Sequence, residues 1–191
     1  MNEVIRTILE RRSIRKYKDT PVPRENIEIV LRSAIWAPTG ADAEPWHFTV
    51  ITDGKRIGNF DALAKSAMAV SGIERIEAMG KAPHYRVFFG APVVILICGE
   101  TVLRKTGRHL SALADCSAAI QNMQLAAASV GLGTCWIGLV RYLFESGEDF
   151  GIPIPEGYRP FFALTLGYAD GPEAVRQRPA RRESTIAWLE G

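Results

Sequence analysis

The sequence has few cysteines and histidines, and neither set is spaced like a metal site or a disulfide framework. The cysteines are odd in number and lie far apart, at Cys98, Cys116 and Cys135. The histidines are isolated from one another and from the cysteines, at His47, His84 and His109. We therefore predict no metal site and no disulfide, and we expect the thiols to be buried in a reducing cytoplasm.

Long apolar runs and a strong charge of one sign are also missing. No apolar run approaches the ~20 residues that a membrane-spanning helix needs, and the N-terminus is polar and charged where a secretory signal would be apolar. The net charge is only +2, whereas a nucleic-acid binder normally carries a larger basic surplus. We expect a cytoplasmic protein that binds neither membrane nor nucleic acid.

The phosphate-binding fingerprints of the common nucleotide folds are absent as well. Gly131-Leu132-Gly133 does not continue as GxGxxG, and no GK[ST] follows a glycine loop. A Rossmann or P-loop fold is therefore not supported.

The composition is typical of a globular protein, with 47% hydrophobic and 23% charged residues among 191. We predict a single domain over residues 1–191. Apolar and β-branched segments predict strands at residues 46–52, 91–98, 134–137 and 161–166. Helical patterns predict a first helix before Arg11, a long central one from about His109 to Val130, and others at residues 23–37, 55–78 with a break near Gly72, and 141–150. The predicted fold class is α+β (mixed α/β).

The segment Arg11-Arg12-Ser13-Ile14-Arg15 follows the first predicted helix and concentrates phosphate donors. Arginine meets phosphate oxygens with a planar fork of donors, and the Ser13 hydroxyl can add another. Arg176 and Arg178 offer further donors far away in sequence. The alternative interpretation of the first segment is a solvated basic arm, which is the usual role of such a run.

Two further segments could serve a nucleotide ring. The small residues of Pro38-Thr39-Gly40-Ala41 would let the backbone approach a flat ring closely. The stretch from Gly131 to Gly138 could offer free backbone groups, although a helix cap followed by a core strand explains it equally. We expect the tryptophans of the apolar runs to be core residues rather than ring platforms: Trp36, Trp46 and Trp136.

Five segments in this order resemble the nitroreductase family of flavoproteins. They are residues 11–17 (RRSIRKY), 37–46 (APTGADAEPW), 90–92 (GAP), 131–138 (GLGTCWIG), and 166–168 (LGY) followed by the terminal arginines. The resemblance covers nearly the whole chain. It implies a central, mostly antiparallel sheet flanked by helices, with a long central helix and a C-terminal extension over a partner subunit.

The resemblance also implies an FMN-dependent homodimer with each flavin at the subunit interface. Arg11 and Ser13 would hold the FMN phosphate with Arg178 or Arg176, and Arg12 belongs to the same matching segment. Arg15 would lie at the pyrimidine edge of the flavin, where negative charge gathers on reduction. Two further groups would contact the ring: Pro38, Thr39 and Gly40 along its plane, and the backbone of Ile137, Gly138 and Leu139 on its N5 and O4 side.

The chain departs from the family at two positions. Asp42 stands where the family commonly has Asn, and Glu44 stands where it commonly has Gln. Asn can donate and accept at the N3 edge of the flavin, whereas an ionised Asp can only accept. We therefore carry Asp42 over as a flavin contact whose charge would oppose that of Arg15.

The implied activity is an oxidoreductase that moves hydride from NADH or NADPH to flavin N5 and electrons on to a small acceptor such as a nitroaromatic, quinone or activated alkene. The flavin does this chemistry, so no catalytic side chain is predicted. One alternative is a specialised flavin enzyme on the same scaffold, such as a dehalogenase or a flavin-consuming enzyme. Another is a non-catalytic basic module that binds nucleic acid.

Overall fold

The computed structural model describes residues 1–101, 109–145, 151–175, 177, 180–181 and 185–189. Within these ranges the strands form one sheet in the order β1-β2-β4-β3, and every neighbouring pair is antiparallel. The strands are β1 (Trp46–Ile51), β2 (Val93–Glu100), β3 (Gly133–Ile137) and β4 (Tyr158–Gly167). The predicted central antiparallel sheet is confirmed, and each strand lies within a few residues of its expected place.

Six α-helices surround the sheet in the part of the chain that the structure describes. They are α1 (Glu3–Glu10), α2 (Arg24–Ile35), α3 (Gly54–Met68), α4 (Glu74–Lys81), α5 (His109–Ser129) and α6 (Val140–Glu145). The break expected near Gly72 separates α3 from α4. Asn2 and Asp53 fix the starts of α1 and α3, because their side chains accept from the backbone N–H groups of Ile5 and Arg56.

Strand β2 is at the centre of the molecule because both of its faces are covered. Val93, Ile95 and Ile97 belong to the core cluster shared with α2 and α5. The alternating residues Val94, Leu96 and Cys98 belong to a second cluster with α3 and α6. This burial on both faces explains why the sequence of β2 is an uninterrupted apolar run rather than an alternating one.

Helix α5 packs against all four strands and against α2. Its small side chains allow this close approach, and Ala112, Ala119 and Ala127 are fully buried. Gly131 follows the helix with a φ of +77°, which is the left-handed conformation of a C-terminal cap. The predicted central helix is confirmed. The three cysteines are free and buried, as expected.

The expectation that all three tryptophans are core residues is wrong for Trp36. Trp46 is 9% exposed and Trp136 is half-buried, but Trp36 is 81% exposed. Trp36 caps the C-terminus of α2 beyond its last buried residue, Ala34, so it no longer lies on the buried face of the helix.

The sequence predicts a helix at residues 141–150, and positions 146–150 of it lie outside the described residues. No helix in the described ranges combines the length and apolarity that crossing a bilayer requires.

Candidate functional site

The Arg11 to Arg15 segment leaves α1 in an extended conformation and runs beside β3. The Ile14 N–H donates to the Thr134 carbonyl at 2.9 Å, and Ser13 forms a parallel bridge with Thr134. Ile14 is 5% exposed and covers Gly133. A Cβ at Gly133 would overlap the Ile14 side chain, so glycine at this point lets the basic segment approach the strand.

Tyr17 holds the other end of this segment against the sheet. Its hydroxyl donates to the Ile14 carbonyl at 2.8 Å and shares a 2.7 Å hydrogen bond with the Thr165 hydroxyl of β4. Thr165 is fully buried and accepts from the Cys135 N–H at 3.0 Å. Burial strongly raises the pKa of Tyr17. The protonated tyrosine therefore joins the segment to both β3 and β4.

Three of the predicted phosphate donors converge at Cys135 on β3. Burial raises the pKa of the Cys135 thiol, and the positive charges of Arg15 and Arg11, with a hydrogen bond to Ser13, oppose that rise. The thiol belongs to a residue only 2% exposed. The structure thus brings Arg11, Ser13 and Arg15 together at one place, with their positions fixed by the strand beneath them.

Arg12 has a different place from these three residues. Its Nη1 atom donates to the carbonyls of Leu9, Glu10 and Arg11 at 2.7 to 2.9 Å. Those carbonyls are at the C-terminal end of α1, where a cation also interacts favourably with the helix dipole. Arg12 therefore caps the end of α1 in this structure, and the flavin contact expected of it from the sequence stays a prediction.

Arg15 lies over an aromatic ring in a tight turn. Its guanidinium carbon is 5.9 Å from the centre of the Phe89 ring. Phe89 has a φ of +55°, and the preceding N–H, of Phe88, donates to Asp61 Oδ1 at 2.9 Å. Burial raises the pKa of Asp61, while its backbone hydrogen bonds favour the ionised form. The turn before Gly90 thus supports the arginine expected at the flavin edge.

The loop predicted to line the ring is fixed on α5 by Asp115. Asp115 Oδ2 accepts from the Thr39 hydroxyl at 2.9 Å and from the Gly40 N–H at 3.2 Å. The Thr39 hydroxyl oxygen in turn accepts from the Glu44 N–H at 3.0 Å. Asp115 is only 8% exposed. Its carboxylate therefore holds the start of the loop directly, and the Thr39 hydroxyl links that start to Glu44.

The same loop contains three residues other than glycine in the left-handed region. They are Ala41 (φ 56°), Asp42 (φ 50°) and Glu44 (φ 44°). Asn and Asp adopt this conformation more readily than other side chains. Backbone conformation therefore accounts for either Asn or Asp at position 42, where the side chain is exposed.

The third expected site segment joins β3 to α6. Ile137 is buried at 4% exposure, whereas Gly138 is exposed and Leu139 is half-buried. Apart from its chain neighbours, no described residue places an atom within 4 Å of the position where a Cβ of Gly138 would be. The backbone of this segment is therefore open to approach from outside.

Sequence reasoning missed Asp115, although one signal could have found it. Asp115 is the only acidic residue of the 21-residue helix α5, and it lies in its first half among mostly small and apolar side chains. A single charge on a buried helix requires a partner, and the polar loop at Thr39 was available. Arg176 and Arg178, both expected at the phosphate, lie outside the described residues.

Comparison with known proteins agrees with this architecture. The model of the nitroreductase family matches residues 8–168. A protein of Methanothermobacter thermautotrophicus assigned as an NADH dehydrogenase/NAD(P)H nitroreductase is 34% identical over 175 residues, covering 87% of this chain and 77% of that protein. Two FMN-bound nitroreductase structures match over the full length of both chains: one from Bacteroides fragilis (29% identity, TM-score 0.84) and one from Desulfitobacterium hafniense (25%, 0.85). The chain therefore belongs to the nitroreductase family.

Proposed function

We propose that this chain is an FMN-dependent oxidoreductase that takes hydride from NADH or NADPH and passes electrons to a nitroaromatic, quinone or activated alkene. Membership of the nitroreductase family supports the proposal, as do the two FMN-bound neighbours. The observation that carries it is the way β3 holds the Arg11 to Arg15 segment, with the Ile14 N–H bonded to the Thr134 carbonyl and Ser13 bridged to Thr134.

The chemistry of these donors fits the phosphate and the electron-rich edge of FMN. Arg11 and Ser13 would hold the phosphate, since guanidinium and hydroxyl groups donate to phosphate oxygens. Arg178 or Arg176 would complete this group on sequence grounds. Arg15 would lie at the pyrimidine edge, where a fixed positive charge stabilises the reduced form and raises the reduction potential.

The remaining segments would position the ring. Pro38, Thr39 and Gly40 would line it, with their backbone held by the hydrogen bonds to Asp115. The open backbone at Gly138 and its two neighbours would approach the N5 and O4 side. Asp42 would lie near the N3 edge. When bound, FMN supplies the hydride and electron chemistry, so the chain needs to orient the reactants and stabilise charge.

A homodimer is part of the proposal because α1 has a largely exposed apolar face among the described residues. None of its residues is buried, and four large apolar side chains are 43% to 63% exposed: Val4, Ile5, Ile8 and Leu9. Near the C-terminus, Ile186, Trp188 and Leu189 are also exposed. Single exposed apolar residues are ordinary, but a whole apolar helix face indicates an interface. We expect the tail of each chain to lie over its partner.

We further propose that residues 1–191 form one FMN-binding domain and that the enzyme works in the cytoplasm. The three buried cysteines carry free thiols, which is the ordinary state in a reducing compartment.

Absorbance and FMN titration test the proposed cofactor site. Purified protein should be yellow, and Arg11→Ala should weaken FMN binding about tenfold or more, because one charge-assisted phosphate contact is lost. Arg75→Ala removes an exposed arginine of α4 and serves as the matched control. Unchanged FMN affinity in Arg11→Ala would reject the assigned role. A protein that binds no FMN but binds nucleic acid with a steep salt dependence would reject the proposed function.

Sedimentation tests the proposed homodimer, and an acceptor panel tests the proposed activity. The FMN-loaded protein should sediment as a dimer at micromolar concentration, and a monomer would exclude the shared site. Reduction of the flavin by each nicotinamide, followed by oxidation with nitroaromatic, quinone, alkene and halogenated aromatic compounds, should identify the acceptor class. Turnover confined to the halogenated compounds would favour a dehalogenase.

A further inference from the structure

A cavity of about 460 Å³ opens beside the expected N5 side of the flavin. Gly138 forms part of its wall, and the cavity extends from there toward the start of β4. The other lining residues used below are Arg141, Phe144, Glu145, Arg159 and Phe161. The location matters because Gly138 is the exposed residue of the segment proposed to approach the flavin.

Two arginines in this cavity are held in place by aromatic rings. The guanidinium carbon of Arg159 is 5.2 Å from the centre of the Phe161 ring. That of Arg141 is 4.7 Å from the centre of the Tyr142 ring, and its Nη2 donates to the Tyr142 hydroxyl at 2.7 Å. Stacking of this kind orients a guanidinium group while leaving most of its N–H donors unused. The arginines are therefore arranged to bind an anion.

Charge and apolar surface together define the class of ligand. Among the described residues that line the cavity, two carry a guanidinium group and one, Glu145, carries a carboxylate. Phe144 and Phe162 supply aromatic surface on which a flat ring can stack. A ligand that combines phosphate groups with a planar base fits both features, since arginine recognises phosphate and aromatic rings stack with bases.

We propose that this cavity binds the phosphate-bearing adenosine half of the nicotinamide dinucleotide, with Arg141 and Arg159 contacting its phosphates. The inference rests on the proposed function, which places Gly138 beside the flavin. A nicotinamide stacked on the flavin would then have its ribose and phosphates directed into the cavity. A 2′-phosphate adds a charge of about −1.5 to −2 at neutral pH, so the arginine pair favours NADPH over NADH.

Equilibrium binding to the FMN-loaded protein tests this assignment without relying on turnover. The probes are ADP-ribose and 2′-phospho-ADP-ribose, which lack the nicotinamide and cannot reduce the flavin. Calorimetric titration should give tighter binding for the 2′-phosphate. Arg141→Ala and Arg159→Ala should each weaken its binding about tenfold, as expected for one charge-assisted contact at a partly exposed site. Arg159→Lys should weaken binding less than Arg159→Ala does, because lysine keeps the positive charge. Some weakening should remain, because lysine lacks the planar fork of donors.

The outcomes distinguish the cavity assignment from the proposed function. Arg75→Ala is again the control, and it should leave binding of both probes unchanged. Equal weakening of both probes in the cavity variants would support a contact to the pyrophosphate, and selective weakening of the 2′-phosphate would support NADPH preference. Unchanged binding of both probes in the cavity variants would overturn the inference. A protein that holds no FMN, or whose flavin neither nicotinamide reduces, would instead overturn the proposed function.

Discussion

At the scale of single residues, Asp115 supports the loop that is expected beside the flavin ring. Its buried carboxylate accepts from Thr39 and Gly40, and both of these residues are expected beside the flavin ring. The side chain itself is not placed against the cofactor. Asp115 is therefore a positioning residue, whose loss should change how well the loop is held rather than which groups contact the ring.

Asp115→Ala should destabilise the protein by about 1 to 3 kcal/mol, because it leaves a hydroxyl and a backbone N–H without their acceptor. FMN affinity should fall with it, since the loop must then be ordered on binding. Urea unfolding and FMN titration measure the two effects. The matched control is Glu28→Ala, which removes an exposed ion pair with Arg24 and should change stability by about 0.5 kcal/mol or less. Equal effects of the two variants would show that the Asp115 hydrogen bonds do not fix the loop.

The sequence indicated some of these residues and not others, for a physical reason. Arg11, Ser13 and Arg15 stand out because a dense run of donors is chemically distinctive before any folding. Arg12 has the same side chain, and only the end of α1 next to it decides that its Nη1 caps carbonyls. Asp115 depends on a partner about 75 residues earlier in the chain. Partners this distant are set by tertiary packing, which the local pattern does not show.

At the scale of elements, periodicity predicted what depends on local burial. The apolar run of β2 and the alanine-rich α5 were found because each is buried on more than one side. The sequence did not predict the strand order β1-β2-β4-β3. It also did not predict the bridges between Ser13 and Thr134 and between Tyr17 and Ala169. The two bridges join segments more than 100 residues apart, and the paired strands are also distant in sequence. They are selected by the whole core rather than by propensity.

Local sequence also failed to predict the backbone conformation of the loop from Gly40 to Glu44. Alanine at position 41 gives no sign of a left-handed residue, yet its φ is 56°. For an L-residue other than Gly, Asn or Asp, this conformation costs about 1 to 2 kcal/mol. The hydrogen bonds of Thr39, Gly40 and Glu44 hold the loop in spite of that cost.

Replacement of Ala41 by glycine should therefore stabilise the protein, by up to about 1 kcal/mol, because the left-handed conformation is free of strain for glycine. Ala62→Gly is the matched control. Ala62 is exposed within α3, where the same substitution should cost about 1 kcal/mol. Chemical denaturation of both variants measures the sign of each change. If Ala41→Gly destabilises the protein as much as Ala62→Gly does, the loop does not hold Ala41 in the left-handed region in solution.

At the scale of the whole molecule, burial of neutral thiols couples stability to alkaline pH. Burial raises the pKa of Cys98 and of Cys116 to about 12, from an ordinary value of 9.0. The folded protein then keeps two protons that the unfolded chain releases above pH 9. The stability that this difference provides is fully present below pH 9 and is lost as the pH rises from 9 toward 12. The buried hydroxyl of Tyr17 adds a further loss above its ordinary pKa of 10.0.

Each of these two thiols should lower the free energy of unfolding by about 1.4 kcal/mol per pH unit across that window. Urea unfolding between pH 8 and pH 11, with a reductant present, measures the slope. The double variant Cys98→Ala/Cys116→Ala should have lower stability at pH 8, because it removes buried sulfur, but a slope that is shallower by about 3 kcal/mol per pH unit. The difference between the two slopes cancels the titration of Tyr17 and of the lysines, which both proteins share. Parallel curves would mean that the thiols ionise without unfolding, and hence that the core between β2 and α5 admits water.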